Sequence, residues 1–252
     1  MTFWDHLEEL RGCILRILIA VSVAGIAAFC CKDWLFAAVF APQDAQFITN
    51  RVLDKMIGKN LHVDLINIDL TQQFLTHLKM SMWAGLMLVM PYVIYVLFHF
   101  VAPALYQHEK RYALRAVSAG YLLFMIGVAL NYFVIFPVTF RFLAGYQVSP
   151  DVPNIISLAS YISTLLIMCL TMGIVFELPI LCWLFTKMGV LKAEFMTRYR
   201  KHAIVVILIL AAIITPTGDP FTLTIVSLPI YLLYELSVFI VRHEDTDNKI
   251  LS

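Results

Sequence analysis

Residues 155 to 186 read IISLASYISTLLIMCLTMGIVFELPILCWLFT, 32 residues in which Glu177 is the one charged side chain. A helix that crosses a bilayer needs about 17 to 25 predominantly apolar residues. The run is therefore long enough to span with residues to spare, and Pro179, two positions after Glu177, supplies a place to bend. Five further apolar stretches lie outward from it, at about 14 to 31, 80 to 101, 116 to 136, 203 to 215 and 221 to 241. The chain is 61% hydrophobic and 14% charged, against about a quarter charged in soluble domains, and its mean hydropathy is +0.84. The expectation is an all-α polytopic membrane protein of six transmembrane helices, forming one membrane domain over residues 1–252.

The last two stretches are short. From Ala203 to Thr215 is 13 residues, about 20 Å at 1.5 Å per residue, and from Phe221 to Tyr234 is 14 before Glu235 interrupts. If both cross, the bilayer beside them thins or water enters; the alternative is a re-entrant helical hairpin. Lysine and arginine set the orientation. Twelve of the 18 fall on one side (Arg11, Arg16, Lys110, Arg111, Arg115, Lys187, Lys192, Arg198, Arg200, Lys201, Arg242 and Lys249). Of the remaining six, five are spread over residues 32 to 79 and balanced there by five aspartates. Both termini are thus expected in the cytoplasm (N-in, C-in). The long outer segment holds a candidate amphipathic helix from Asp44 to Gly58, Thr71 is a candidate cap for the second span, and Pro216 to Pro220 form a tight outer turn. Prolines at 91, 179 and 229 lie inside spans and Pro137 ends the third, each freeing a carbonyl. The five cysteines (Cys13, Cys30, Cys31, Cys169, Cys182) lack C-x-x-C spacing and read as small buried hydrophobes rather than disulfides or metal ligands.

Three acidic positions invite chemistry. His6-Leu7-Glu8-Glu9-Leu10-Arg11 places two carboxylates ahead of the first span, where a cleaved leader would carry base; the span is expected to be retained. Glu109, in Phe100-Val101-Ala102-Pro103-Ala104-Leu105-Tyr106-Gln107-His108-Glu109-Lys110-Arg111, shares that membrane side. Glu109 alone is an ordinary solvated loop acid; with Glu8 and Glu9 it suits a clamp for a cationic segment, preferably of arginine. Glu177 sits deep in its span, where ionisation costs several kcal/mol, so it marks a pathway, a partner or a proton site, unless it is a protonated strut between helices. Glu235, nearer the cytoplasmic end, is explained as well by snorkelling or a structural pair.

These residues carry a resemblance over nearly the whole chain. H-L-x-E-L-R at His6 to Arg11, F-x-A-P-A-L-Y-x-H-E-[KR]-R at Phe100 to Arg111, F-E-x-P at Phe176 to Pro179, Ala41-Pro42, and Pro229 followed by Glu235 resemble the TatC family of twin-arginine translocase subunits. The resemblance implies a cup-shaped bundle with two short C-terminal spans in the cytoplasmic membrane. It also implies recognition of the twin-arginine signal peptides of folded exported proteins. Glu9 and Glu109 would meet the arginine pair, with Leu7, Leu10, Arg11, Phe100, Leu105 and Tyr106 shaping that surface; Glu177 would meet the inserted signal or a partner helix. Single-span TatA and TatB subunits and other copies of the chain are the implied partners, besides the lipid bilayer, and proton-motive force is the energy source. No cofactor, metal or nucleic acid is implied. Two features depart from the family: Thr215 to Asp219 carries an extra residue in the outer turn, and Leu223 stands where relatives carry a polar residue.

Two other classes compete. A secondary transporter with an intramembrane Glu177 site also suits proline-bent helices, but repeated halves and paired midplane sites are missing from the sequence. A membrane enzyme would need a nucleophile and base or metal-spaced histidines, and the seven histidines are scattered.

Overall fold

The computed structural model describes residues 3–44, 46–57, 65–101, 110–147, 149, 154–215 and 218–251. Among them run eleven α-helices: α1 (Phe3–Phe29), α2 (Lys32–Phe40), α3 (Ile48–Ile57), α4 (Gln72–Val101), α5 (Lys110–Leu130), α6 (Phe136–Gly145), α7 (Leu158–Val175), α8 (Leu178–Lys187), α9 (Ala193–Arg198), α10 (Arg200–Ile214) and α11 (Pro220–Leu251). A π-helical segment, Asn131–Ile135, joins α5 to α6. Two short strands, Leu65–Ile66 and Ile156–Ser157, pair in parallel.

Among the described residues, five helical stretches are long and apolar enough to cross a membrane: Leu7–Phe29, Gln72–Phe100, Val117–Gly145, Leu158–Lys187 and Pro220–His243. They carry exposed apolar side chains such as Ile19 and Ile26 on α1, Leu88 on α4 and Phe239 on α11. Such faces oppose solvation by water and suit hydrocarbon, with the backbone satisfied inside each helix. The chain is a helical, polytopic membrane protein.

Three boundaries differ from those expected. α1 starts at Phe3 rather than near residue 14, so the polar stretch that holds Glu8 and Glu9 is helical and runs on into the apolar one. Within it, Arg16 turns its guanidinium back one turn, so that a Cβ on Gly12 would lie 3.6 Å from Nη2; the charge thereby leans toward the helix start. The third span runs past Pro137 to Gly145. Pro137 removes the donor that Phe133 would meet four residues back, and the Thr49 hydroxyl donates to that carbonyl instead. Glu235 does not interrupt the last span: α11 continues through it, and the apolar stretch Pro220–His243 has 24 residues. α10, at 15 residues, stays short. Nor are all the cysteines buried: all five are free, Cys13 and Cys169 are buried, Cys182 is intermediate, and Cys30 and Cys31 are exposed in the turn after α1.

The chain divides into two compact units. One comprises Val21–Leu88 and Val128–Met172. Here α1 and α4 touch backbone to backbone, since a Cβ on Gly85 would fall 2.5 Å from the nitrogen of Gly25; only small residues allow such an approach. Trp83 donates from Nε1 to the carbonyl of Leu166 at 3.1 Å. The expected amphipathic helix is present as α3. The hydroxyl of Tyr161 donates to the Val39 carbonyl at 3.0 Å while its ring packs against Phe40, Phe136 and Phe140. The other unit comprises Met1–Ala20, Val89–Gly127 and Gly173–Ser252. Its core joins α9 and α11 through Ala193, Met196, Val238 and Val241, with Cys182 and Tyr234 packed against them. Tyr234 donates to the Met196 carbonyl at 2.7 Å. The candidate site residues of the described chain lie in this second unit.

Candidate functional site

The first turns of α1 separate two neighbouring acids. Glu8 and Arg11 are exposed, Leu7 is 41% exposed, and Glu9 and Leu10 are half-buried. Glu9 lies one turn from Cys13, which is 5% exposed, so it belongs to the face of α1 that turns into the protein. Its Oε2 is closed off from solvent and has no hydrogen-bond partner among the described residues. A buried carboxylate oxygen without a donor is costly, and a cationic ligand that donates to it recovers that cost. The family resemblance names Glu9 rather than Glu8, and the two differ in burial. Phe100, near the end of α4, is half-buried. Leu105, Tyr106 and Glu109 lie outside the described residues.

Glu177 occupies the turn between α7 and α8, where Leu178 and Pro179 start the new helix. The break follows from Pro179, which has no N–H for the carbonyl of Val175; instead Glu177 N–H donates to the carbonyl of Ile174 at 3.1 Å. The carboxylate lies against the bare backbone of Gly120 on α5: a Cβ there would sit 2.9 Å from Oε2 and 3.4 Å from Oε1, and 3.3 Å from Ile94 on α4. Oε1 is shut from solvent and has no hydrogen-bond partner among the described residues. Gly120 thus reads as the seat of Glu177, a role that nothing in its neighbours Ala119 and Tyr121 signals in the sequence.

Glu235 stands in a different environment. Its Oε2 accepts from the guanidinium of Arg200 at 2.9 Å, and its Oε1 accepts from the Tyr231 hydroxyl one turn earlier at 3.2 Å. This is the structural pair allowed for above, and Arg200, the first residue of α10, is the partner that the sequence did not single out. Asp219 is a helix cap. Its Oδ1 accepts from the N–H of Thr222 at 2.8 Å, and Pro220 occupies the first helical position, where a missing N–H costs nothing. Gly218, with φ 58°, takes the left-handed turn that other residues adopt reluctantly.

The arrangement contains a half-buried acid at the start of a membrane helix, a second acid inside the bundle, and a third locked in an ion pair. The sequence model of the Sec-independent protein translocase protein (TatC) family matches residues 5–229, which covers every one of these positions except Glu235. The chain belongs to the TatC family. TatC of Blattabacterium sp. from Periplaneta americana is 33% identical, with 95% of this chain and 94% of the relative covered. TatC of Escherichia coli strain K12 is 33% identical, with 94% and 86% covered. Among solved structures, the crystal structure of the twin arginine translocase receptor TatC in DDM is 31% identical at a TM-score of 0.78, covering 94% of this chain and 99% of that one. The chain is accordingly a subunit of a Sec-independent protein translocase, a transport component of the membrane.

Proposed function

We propose that this TatC family member is the receptor for twin-arginine signal peptides of folded proteins, gripping the arginine pair between Glu9 and Glu109. Leu7, Leu10, Arg11, Phe100, Leu105 and Tyr106 form the surrounding surface. The observation that carries this reading is the Oε2 of Glu9, closed from solvent on the inward face of α1 and without a donor among the described residues. A guanidinium is the natural complement, because its planar fork delivers two N–H groups to one carboxylate.

In this reading the chain is one membrane domain of the cytoplasmic membrane with both termini inside. α10 crosses as a short sixth span, and the turn that Asp219 closes lies outside. Glu177 receives the inserted signal or a helix of the single-span TatA and TatB subunits. Copies of the chain assemble with those subunits, and proton-motive force drives passage. Export needs no cofactor from this chain.

Titration of an Arg-Arg leader peptide onto the purified chain tests the grip. Glu9→Ala and Glu109→Ala should each weaken binding about tenfold to a hundredfold, the worth of a hydrogen bond to a charged group, and a Lys-Lys leader should bind less well than Arg-Arg. Wild-type affinity in both variants overturns the reading. Impermeant thiol labelling of Asp219→Cys from the outer side tests the sidedness; labelling from the cytoplasm alone would make α10 and α11 a re-entrant hairpin.

A further inference from the structure

The long segment between the first two apolar stretches counts as neutral, five bases against five aspartates, but the fold separates those charges. On α3, Asp54 turns inward and pairs with Arg141 of α6, whose guanidinium also donates to the Asn50 carbonyl at 3.4 Å. Asn50 donates from Nδ2 to the carbonyls of Pro42 and Asp44, at 2.9 and 2.8 Å. The Thr49 hydroxyl donates to Phe133. These bonds fix the rotation of α3 about its axis. They leave one face outward, Ile48, Arg51, Val52 and Lys55, at the spacing of a single helical stripe. Ile48 is 68% and Val52 54% exposed, Arg51 and Lys55 are exposed, and neither base pairs with a carboxylate among the described residues.

The contacts of α3 also give its depth. Its inner face meets residues 133 to 141 of the stretch Val117–Gly145. About 20 helical residues cross the hydrocarbon, so the apolar layer counted from Ala116, which follows the basic Arg115, ends near Pro137. Thr49 therefore sits beside the last residues in the acyl layer and Asp54 beside the first in the headgroup layer. Tyr146, exposed at the C-cap of α6, is of the type that favours that boundary. An apolar pair and a basic pair on one helix face at this depth match an interfacial amphipathic helix.

We propose that this face of α3 is a binding site for anionic phospholipid of the surrounding bilayer, Ile48 and Val52 resting on acyl chains and Arg51 and Lys55 holding the headgroup phosphate. The full chain in mild detergent is titrated with short-chain phosphatidylglycerol and, separately, with phosphatidylcholine of equal chain length, reading the affinity for each. The wild type should prefer the anionic lipid by about 25-fold, near fivefold for each base at an anionic surface. Arg51→Gln with Lys55→Gln should bring the two lipids within about twofold, while Arg51→Lys with Lys55→Arg, which keeps the charge and controls for folding, should retain the preference. Equal affinities in the wild type, or a preference that survives the double Gln variant, overturn the site. Displacement of the bound lipid by inorganic phosphate overturns it as well, since a free-anion site would need no acyl contact. A double Gln variant that keeps its lipid preference but loses a protein partner would assign the face to that partner instead.

Discussion

Glu177 and Glu235 are carboxylates of one compact unit, both within stretches apolar enough to span a membrane, and they are treated in opposite ways. Glu235 is met by Arg200 and Tyr231, so both oxygens have donors and α11 runs on past it. Glu177 lies on a glycine backbone with one oxygen closed off and without a donor among the described residues, at a proline-made break in its helix. Burial alone does not distinguish a working acid from a strut; the supply of donors does. An acid whose needs are met holds helices together; one left without a donor among the described residues suits a donor supplied by a partner, the role proposed for Glu177.

The largest effect is expected at Glu177. Glu177→Gln keeps the shape and loses the charge, so export should fall about tenfold to a hundredfold if a partner donates to that carboxylate, with the melting temperature in detergent nearly unchanged. Normal export with Gln, together with a lowered melting temperature for Glu177→Leu, would make Glu177 a strut like Glu235 and remove the contrast. Gly120→Ala comes next. Its new methyl must displace the carboxylate or the α5 backbone, overpacking worth about 1–3 kcal/mol, and the variant should lose export without any change in the acid itself; wild-type export and melting would show that the seat is slack.

A smaller effect belongs to Asp219, where alanine removes the N-cap of α11 at about 1 kcal/mol, read as a lowered melting temperature with leader binding intact. The smallest is Glu235→Gln. Its pair with Arg200 is partly exposed, with side-chain exposures of 47% for Arg200 and 30% for Glu235, so the loss should stay at or below about 1 kcal/mol and export should remain near wild type. A loss of export at Glu235 as deep as at Glu177 would erase the comparison.

The apolar stretches were legible because hydrocarbon demands length and composition, and the turn at Gly218-Asp219-Pro220 because it needs a capping carboxylate and a residue at ease with positive φ. The start of α1 was not. Its first two turns are polar, and only the inward-facing Glu9 and Cys13 reveal that they belong to the same helix as the apolar stretch. The continuation past Pro137 was hidden for a related reason: the π segment and the Thr49 hydroxyl 84 residues away in sequence resolve a break that local pattern predicts. At the site, single acids stood out while their surroundings did not. Arg200 reaches Glu235 across 35 residues, and Gly120 serves Glu177 by having no side chain, which no motif of charged or polar residues can announce.

At the start of α1 exposure divides two adjacent acids, Glu8 open to solvent and Glu9 with one oxygen closed off, and there the account meets the proposed recognition of an Arg-Arg leader most directly. The decisive measurement is the affinity of that leader for Glu8→Gln and Glu9→Gln in the otherwise intact chain. The account predicts a loss of about tenfold or more for Glu9→Gln and near wild-type binding for the exposed Glu8→Gln; equal losses, or a larger loss at Glu8, would contradict it.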